Sequence, residues 1–304
     1  MAMNIQFWQP LSRGWEHMKQ ALFQPLDAKK WFVVGFTAFL AGLTDYSGET
    51  GYHETSDLKY NWDDMMYFPQ NTWDWLQDNP GWFTLIMVGL ILVILLIIVF
   101  TWLSSRGKFM FLDNVVHNQA QISKPWHEFK VQGDSLFIWT LVFVLVVLTV
   151  FISYLINCYT YLYDLYTAVG DEHAFLAPLI WMIIGLLVLI MLVVFIDLLL
   201  TDFIVPIMYK YRIRTNEAWT KFLPLLYSHF WYFLGYAFLV MLITILVVLG
   251  IIVVGLFTCC IGFLLLLIPY LSSVVLLPVS YTLRAFSVEF LEQFGFDYQI
   301  FPRT

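Results

Sequence analysis

Asp197 lies inside a long apolar run, about a turn and a half ahead of Asp202. An ionisable group in such a run is costly and calls for a counter-charge, which makes it a functional candidate by default. Arg106 and Arg284 border other apolar runs at a depth from which an extended side chain reaches Asp197. The expectation is an ion pair between Asp197 and one of these arginines that fixes helix packing. The other reading is a proton or ion relay. A relay needs further carboxylates or histidines near mid-membrane, and the apolar runs supply none.

The longest polar stretch, 44–81, holds Asp45, Glu49, Glu54, Asp57, Asp63, Asp64, Asp74 and Asp78 against Lys59 alone, a balance of −7 that equals the net charge of the whole chain. Tyr and Trp are interleaved with the acids, so the stretch is too aromatic for a purely solvated tail. Trp62, Asp63, Asp64, Trp73 and Trp75 form its candidate partner-binding surface, because exposed aromatic residues favour interfaces. A metal reading is weaker: His53, Glu54 and Asp57, or the pair Asp63 and Asp64, supply ligand types without the spacing of a recognised site.

Three cysteines, Cys158, Cys259 and Cys260, fall near the outer membrane surface. An oxidising exterior permits a disulfide from Cys158 to one of the adjacent pair, and three buried reduced thiols are the other reading. His17, His117, His127 and His229 are scattered, without H-x-x-x-H spacing. Phosphate-loop, nucleophile-elbow, zinc-protease and dinucleotide motifs are all missing, so the expectation is a non-enzyme without cofactor.

The elements that must position these residues follow from composition. The 304 residues are 61% hydrophobic and 12% charged, with a mean hydropathy of +0.76. A soluble domain carries about a quarter of its residues as charges. The apolar residues come in runs of the length a bilayer requires, so the fold class expected is an all-α integral membrane protein. An acidic pI of about 5.2 argues against a nucleic-acid partner. Five runs read as spans, 82–104, 135–157, 178–204, 230–254 and 261–283, and a shorter sixth covers 31–47. Residues 1–30 carry Trp8, Arg13, Glu16, Lys19 and Asp27 in place of an apolar leader core, so the first span is expected to serve as its own insertion signal.

Charge placement sets the orientation. With six crossings and both termini inside, fourteen of the fifteen Lys and Arg residues face the cytoplasm and Lys59 alone lies outside. Without a first crossing the cytoplasmic count falls to Arg13, Lys19, Lys29, Lys30 and Lys59. The positive-inside rule selects the first arrangement, in the plasma (inner) membrane.

Helical stripes precede the odd-numbered spans. Trp15, Met18, Leu22 and Phe23 fall on one face, as do Trp219, Phe222, Leu223 and Leu226, with a weaker match at Trp126 and Phe129. Such stripes suit helices lying in the headgroup layer. Further stripes, Phe109, Leu112, Val116 and Phe286, Phe290, Phe294, follow even-numbered spans. W-F-V-V-G-F at Trp31 to Phe36 is echoed by W-Y-F-L-G-Y at Trp231 to Tyr236. The plan expected is three copies of an amphipathic interfacial helix followed by two spans. Pro269 is a candidate kink in the sixth span.

This layout, R-G-K-F-M-F-L-D at Arg106 to Asp113, and L-R-A-F-S-V-E-F-L-E-Q-F-G at Leu283 to Gly295 resemble a loose group of bacterial and archaeal six-helix membrane proteins. The group includes the membrane domain fused to some glycerophosphodiester phosphodiesterases. The resemblance implies architecture and no active site, and the catalytic barrel of the fused enzymes is not expected within these residues, whose soluble stretches do not exceed about forty residues. The function expected is a structural or assembly component of a membrane complex, with the lipid bilayer and other membrane subunits as partners. A permease-like carrier of a lipid or small solute is the alternative.

Overall fold

The computed structural model describes residues 5–24, 26–44, 62–169, 176–257 and 268–302. Apart from short turns, these residues are helical: α1 (Trp8–Leu22), α2 (Ala28–Ala41), α3 (Trp62–Asp78), α4 (Pro80–His117), α5 (Ser123–Glu128), α6 (Lys130–Val169), α7 (Leu176–Leu199), α8 (Val205–Tyr211), α9 (Thr215–Ser228), α10 (Phe230–Phe257), α11 (Pro269–Val275) and α12 (Leu277–Glu292). A π turn, Leu200–Ile204, joins α7 to α8, and a 3₁₀ turn, Phe296–Tyr298, follows α12.

Among the described residues, four stretches are long and apolar enough to cross a membrane: Pro80–His117, Lys130–Ala168, Ala177–Tyr211 and Phe230–Phe257. Counting the bent pair α11 and α12 as one broken span makes five. α2 is shorter than the span expected over 31–47. Its 14 residues rise roughly 21 Å at 1.5 Å each, against a hydrocarbon core of about 30 Å. Residues 45–47, which would extend it, lie outside the described residues. In the sixth expected span, Pro269 opens α11, where its missing N–H costs nothing. The 65° bend comes at Leu276, just before Pro278 opens α12.

One compact unit comprises Met1–Leu43, Thr101–Leu141 and Met191–Thr304. Its core is aromatic. Phe203 stacks on Phe222 at 5.5 Å, Phe233 on Phe294 at 5.1 Å and Tyr236 on Phe286 at 5.0 Å, and Phe290 meets each of these rings except Phe222. The stripes Phe109, Leu112, Val116 and Phe286, Phe290, Phe294 both enter this core, so protein rather than headgroups covers them. In α1 the expected face is split. Met18 and Leu22 are buried, while Trp15 and Phe23 stay about half exposed.

α1 pairs closely with α12. A Cβ on Gly14 would stand 2.9 Å from the Phe286 amide nitrogen, so the crossing accepts only glycine there. α4 approaches α2 in the same manner, because a Cβ on Gly107 would meet the backbone of Leu40 and Ala41 at 2.6 Å. Ser104 uses this proximity to donate its hydroxyl to the Ala41 carbonyl at 2.7 Å. Asp27 caps α2 by accepting from the Lys29 amide at 2.9 Å.

The second unit comprises Thr44–Phe100 and Val142–Ile190. Within it, Tyr154 of α6 donates to the Met182 carbonyl of α7 at 2.6 Å, and Leu162 is buried among Leu165, Tyr166, Leu179 and Met182. Its part of α4 presents Leu85, Val88, Leu92 and Leu95 as exposed apolar side chains.

Candidate functional site: charges around the π turn

The π turn gathers two buried cations of the first unit, Lys108 and Arg284, around Asp202. Val205 N–H bonds the Leu200 carbonyl, five residues back, and Pro206 follows without an N–H to donate. A π insertion re-aims the residues it contains and is frequent at functional sites. Here it presents Thr201 and Asp202 to three other helices. Lys108 of α4 donates to Thr201 Oγ1 at 2.9 Å. Arg284 of α12 donates to the Thr201 carbonyl at 2.7 Å and lies 3.7 Å from Asp202 Oδ1. Tyr236 of α10 donates to Asp202 Oδ2 at 2.9 Å.

The set therefore holds two cations and one carboxylate, with Arg284 beside Asp202 and Lys108 on the neighbouring Thr201 hydroxyl. Arg284 and Lys108 are 7% and 5% exposed, so both depend on these few oxygens in place of water. One guanidinium nitrogen of Arg284, Nη1, serves both the Thr201 carbonyl and the Asp202 carboxylate. The arrangement joins α4, α10 and α12 at one turn of backbone. Its chemistry is that of a fixed electrostatic clasp.

Three smaller clusters surround it in the same unit. Arg106 pairs with Asp134 at 2.8 Å and sits between the indoles of Trp102 and Trp126, 4.5 and 5.0 Å from their centroids. Asp113 accepts from Tyr209 at 2.7 Å and faces His117 Nδ1 at 3.1 Å. His117 and Tyr209, with Lys210, Arg212 and Gln299, line a hollow of about 310 Å³. Glu289, 7% exposed, receives both Arg13 at 3.4 Å and His17 at 3.1 Å.

The ion pair expected at Asp197 is found elsewhere. Arg284 pairs with Asp202 and Arg106 with Asp134, because the π turn directs Asp202 to the α12 side and Trp102 and Trp126 hold Arg106 beside α6. Lys108, Thr201, Tyr236 and Asp134 were not read as site members from sequence. The R-G-K spacing at Arg106 to Lys108 did carry a signal, since two cations at i and i+2 point to different sides of a helix and need separate partners. Asp113 and His117, four apart on α4, are a second legible pair. Nothing in local sequence announces Glu289 as the partner of Arg13 and His17, which lie more than 270 positions away.

Of the loop candidates, Trp73 and Trp75 stand on α3 and are 56% and 47% exposed. Trp73 edges a hollow of about 180 Å³ with Leu76, Gln77, Pro80 and Phe83. Trp62, Asp63 and Asp64 open α3, with side chains outside the description. Cys158 is a free thiol on α6, and Cys259 and Cys260 lie outside the described residues. His53, Glu54 and Asp57 do as well. Among the described residues no cluster of three metal-ligating side chains occurs.

A family model matches residues 8–297, nearly the whole chain. The chain belongs to DUF7544, a family of unknown function. No curated protein and no solved structure matches it. For this DUF7544 member, function must be argued from its own geometry.

Proposed function

We propose that this DUF7544 chain is a non-catalytic membrane component that assembles with other membrane proteins. In this reading it crosses the plasma (inner) membrane six times with both termini cytoplasmic, as three copies of an interfacial helix and two spans. The bias of fourteen basic residues to one side supports the orientation. The occurrence of α1, α5 and α9 as separate helices directly ahead of α2, α6 and α10 supports the repeat. The kinship with membrane domains fused to glycerophosphodiester phosphodiesterases belongs to the same proposal.

One observation carries the assembly reading: the most apolar windows of α4, α7 and α10 are 0% buried within the chain. Gly89 and Gly250 lie on these helices with open space where a Cβ would stand. Small residues on a span let another backbone approach closely, which is how membrane helices associate. Lys108, Arg284 and Arg106, by contrast, are engaged with partners inside the chain. Purification in a mild detergent is expected to bring stoichiometric membrane-protein partners. A clean monomer with undiminished stability would overturn the proposal.

A second reading, a permease-like carrier of a lipid or small solute, is favoured by one feature. An apolar groove of about 470 Å³ opens between α1, α10 and α12.

A further inference from the structure

The groove is lined by Leu11, Ile243, Val247, Val279 and Leu283, with Trp8 and Trp15 at its edge and two hydroxyls, Ser12 and Thr282. Thr282 spends its hydroxyl on the Pro278 carbonyl at 2.7 Å, so the lining offers a polar solute almost nothing. A volume of about 470 Å³ accommodates a helix 10–12 Å across for only about one turn, which excludes a partner helix as a fitting occupant. It suits a flexible aliphatic chain. Elsewhere on α10, Leu242, Ile245 and Leu246 are apolar side chains that the protein leaves exposed.

The rim adds a charge. Lys19 Nζ stands 5.8 Å from the centroid of Trp15, which places an ammonium at the groove's Trp15 edge. Trp8 is 76% exposed and Trp15 48% exposed, and indoles of this kind sit at the level of headgroups with one edge apolar and one wet. An apolar trough ending at an indole and an ammonium is complementary to an acyl chain ending at a phosphate.

We infer that the corner between α1, α10 and α12 binds one acyl chain of an anionic phospholipid from the surrounding bilayer, with Lys19 holding its phosphate. Leu11, Ile243, Val247, Val279 and Leu283 take the chain, and Trp15 marks the transition to the headgroup. The site extends the lipid branch of the second reading and is independent of the assembly reading. Loss of partner proteins with lipid binding retained would remove only the latter.

The test is native mass spectrometry of the delipidated full-length chain in mild detergent, titrated with phosphatidylglycerol and with phosphatidylcholine carrying the same acyl chains. One tightly held phosphatidylglycerol is expected. Val247→Trp, which fills the groove, is expected to weaken both lipids by about tenfold or more. Lys19→Gln is expected to weaken phosphatidylglycerol more than phosphatidylcholine, whose choline already offsets the charge of its phosphate. Leu283→Trp is the independent filling variant should Val247→Trp not fold. Unchanged binding of both lipids in a filling variant with the parent's thermal transition overturns the site. Equal weakening of the two lipids by Lys19→Gln overturns the role of the ammonium. Release of a co-purified protein by the filling variants, with lipid binding unaltered, identifies a protein as the occupant and overturns the proposal as well.

Discussion

Asp202 carries the heaviest electrostatic demand of the buried clusters, because its two oxygens answer Arg284 and Tyr236 while Lys108 leans on the adjacent Thr201. Removing one partner of a buried pair leaves the other charge uncompensated, at about 3–5 kcal/mol. Arg284→Leu is therefore expected to destabilise by that amount, read as a lowered midpoint in a detergent-based thermal unfolding assay. Lys108→Met removes a donor whose direct partner is a neutral hydroxyl, and its expected cost is nearer about 1 kcal/mol. Equal losses for the two variants would contradict the ranking. Asp197→Asn is expected to cost under about 1 kcal/mol, since neither arginine pairs with it; a loss as large as that of Asp202→Asn would restore Asp197 as the paired carboxylate. Sequence pointed to Asp197 with Arg106 or Arg284, and the structure pairs Arg284 with Asp202, five residues on, and Arg106 with Asp134. The five-residue shift follows from the π turn, which local composition does not encode.

At the level of elements, glycines set where helices meet. Gly14 lets α1 lie against α12, and Gly107 lets α4 lie against the end of α2. Gly14→Val forces two backbones apart and is expected to cost roughly 1–3 kcal/mol or more, measured as lost thermal stability and increased proteolysis within α1. A neutral effect would show that the two helices are not pressed together. Most helices are legible from hydropathy and the 3.6-residue period, and so are the short helices before α2, α6 and α10. The period also grouped Phe286, Phe290 and Phe294 correctly on one face. It did not reveal what covers that face, because a stripe suited to the headgroup layer and a stripe suited to an aromatic protein core have the same spacing. The split of Trp15 from Met18 in α1 has the same origin: both are apolar, but Met18 meets α12 while Trp15 edges the groove.

For the whole molecule, charge asymmetry remains the strongest guide to orientation. A reporter fused after Tyr60 is expected outside the cytoplasm, and one fused after Lys124 inside. Cytoplasmic activity from the Tyr60 fusion would eliminate the first crossing and invert the assignment of every later loop. Composition made the membrane class and the long spans legible, since a chain with 12% charge cannot cover a soluble surface. Span number is less legible because α2 is short and α11 and α12 are bent by 65°. Hydropathy reads such segments as runs of residues and is blind to the angle between them.

The contact of α1 with α12 also imposes an order in time. Ribosomes deliver α1 first, yet the helix that covers its Gly14 face, and the Glu289 that receives Arg13 and His17, emerge more than 270 residues later. Arg284 likewise arrives after Lys108, Asp202 and Tyr236 have entered the membrane. During synthesis the early helices therefore wait with an uncovered small-residue face and an incomplete set of charges, and closure of the first unit is a late event set by the arrival of α12.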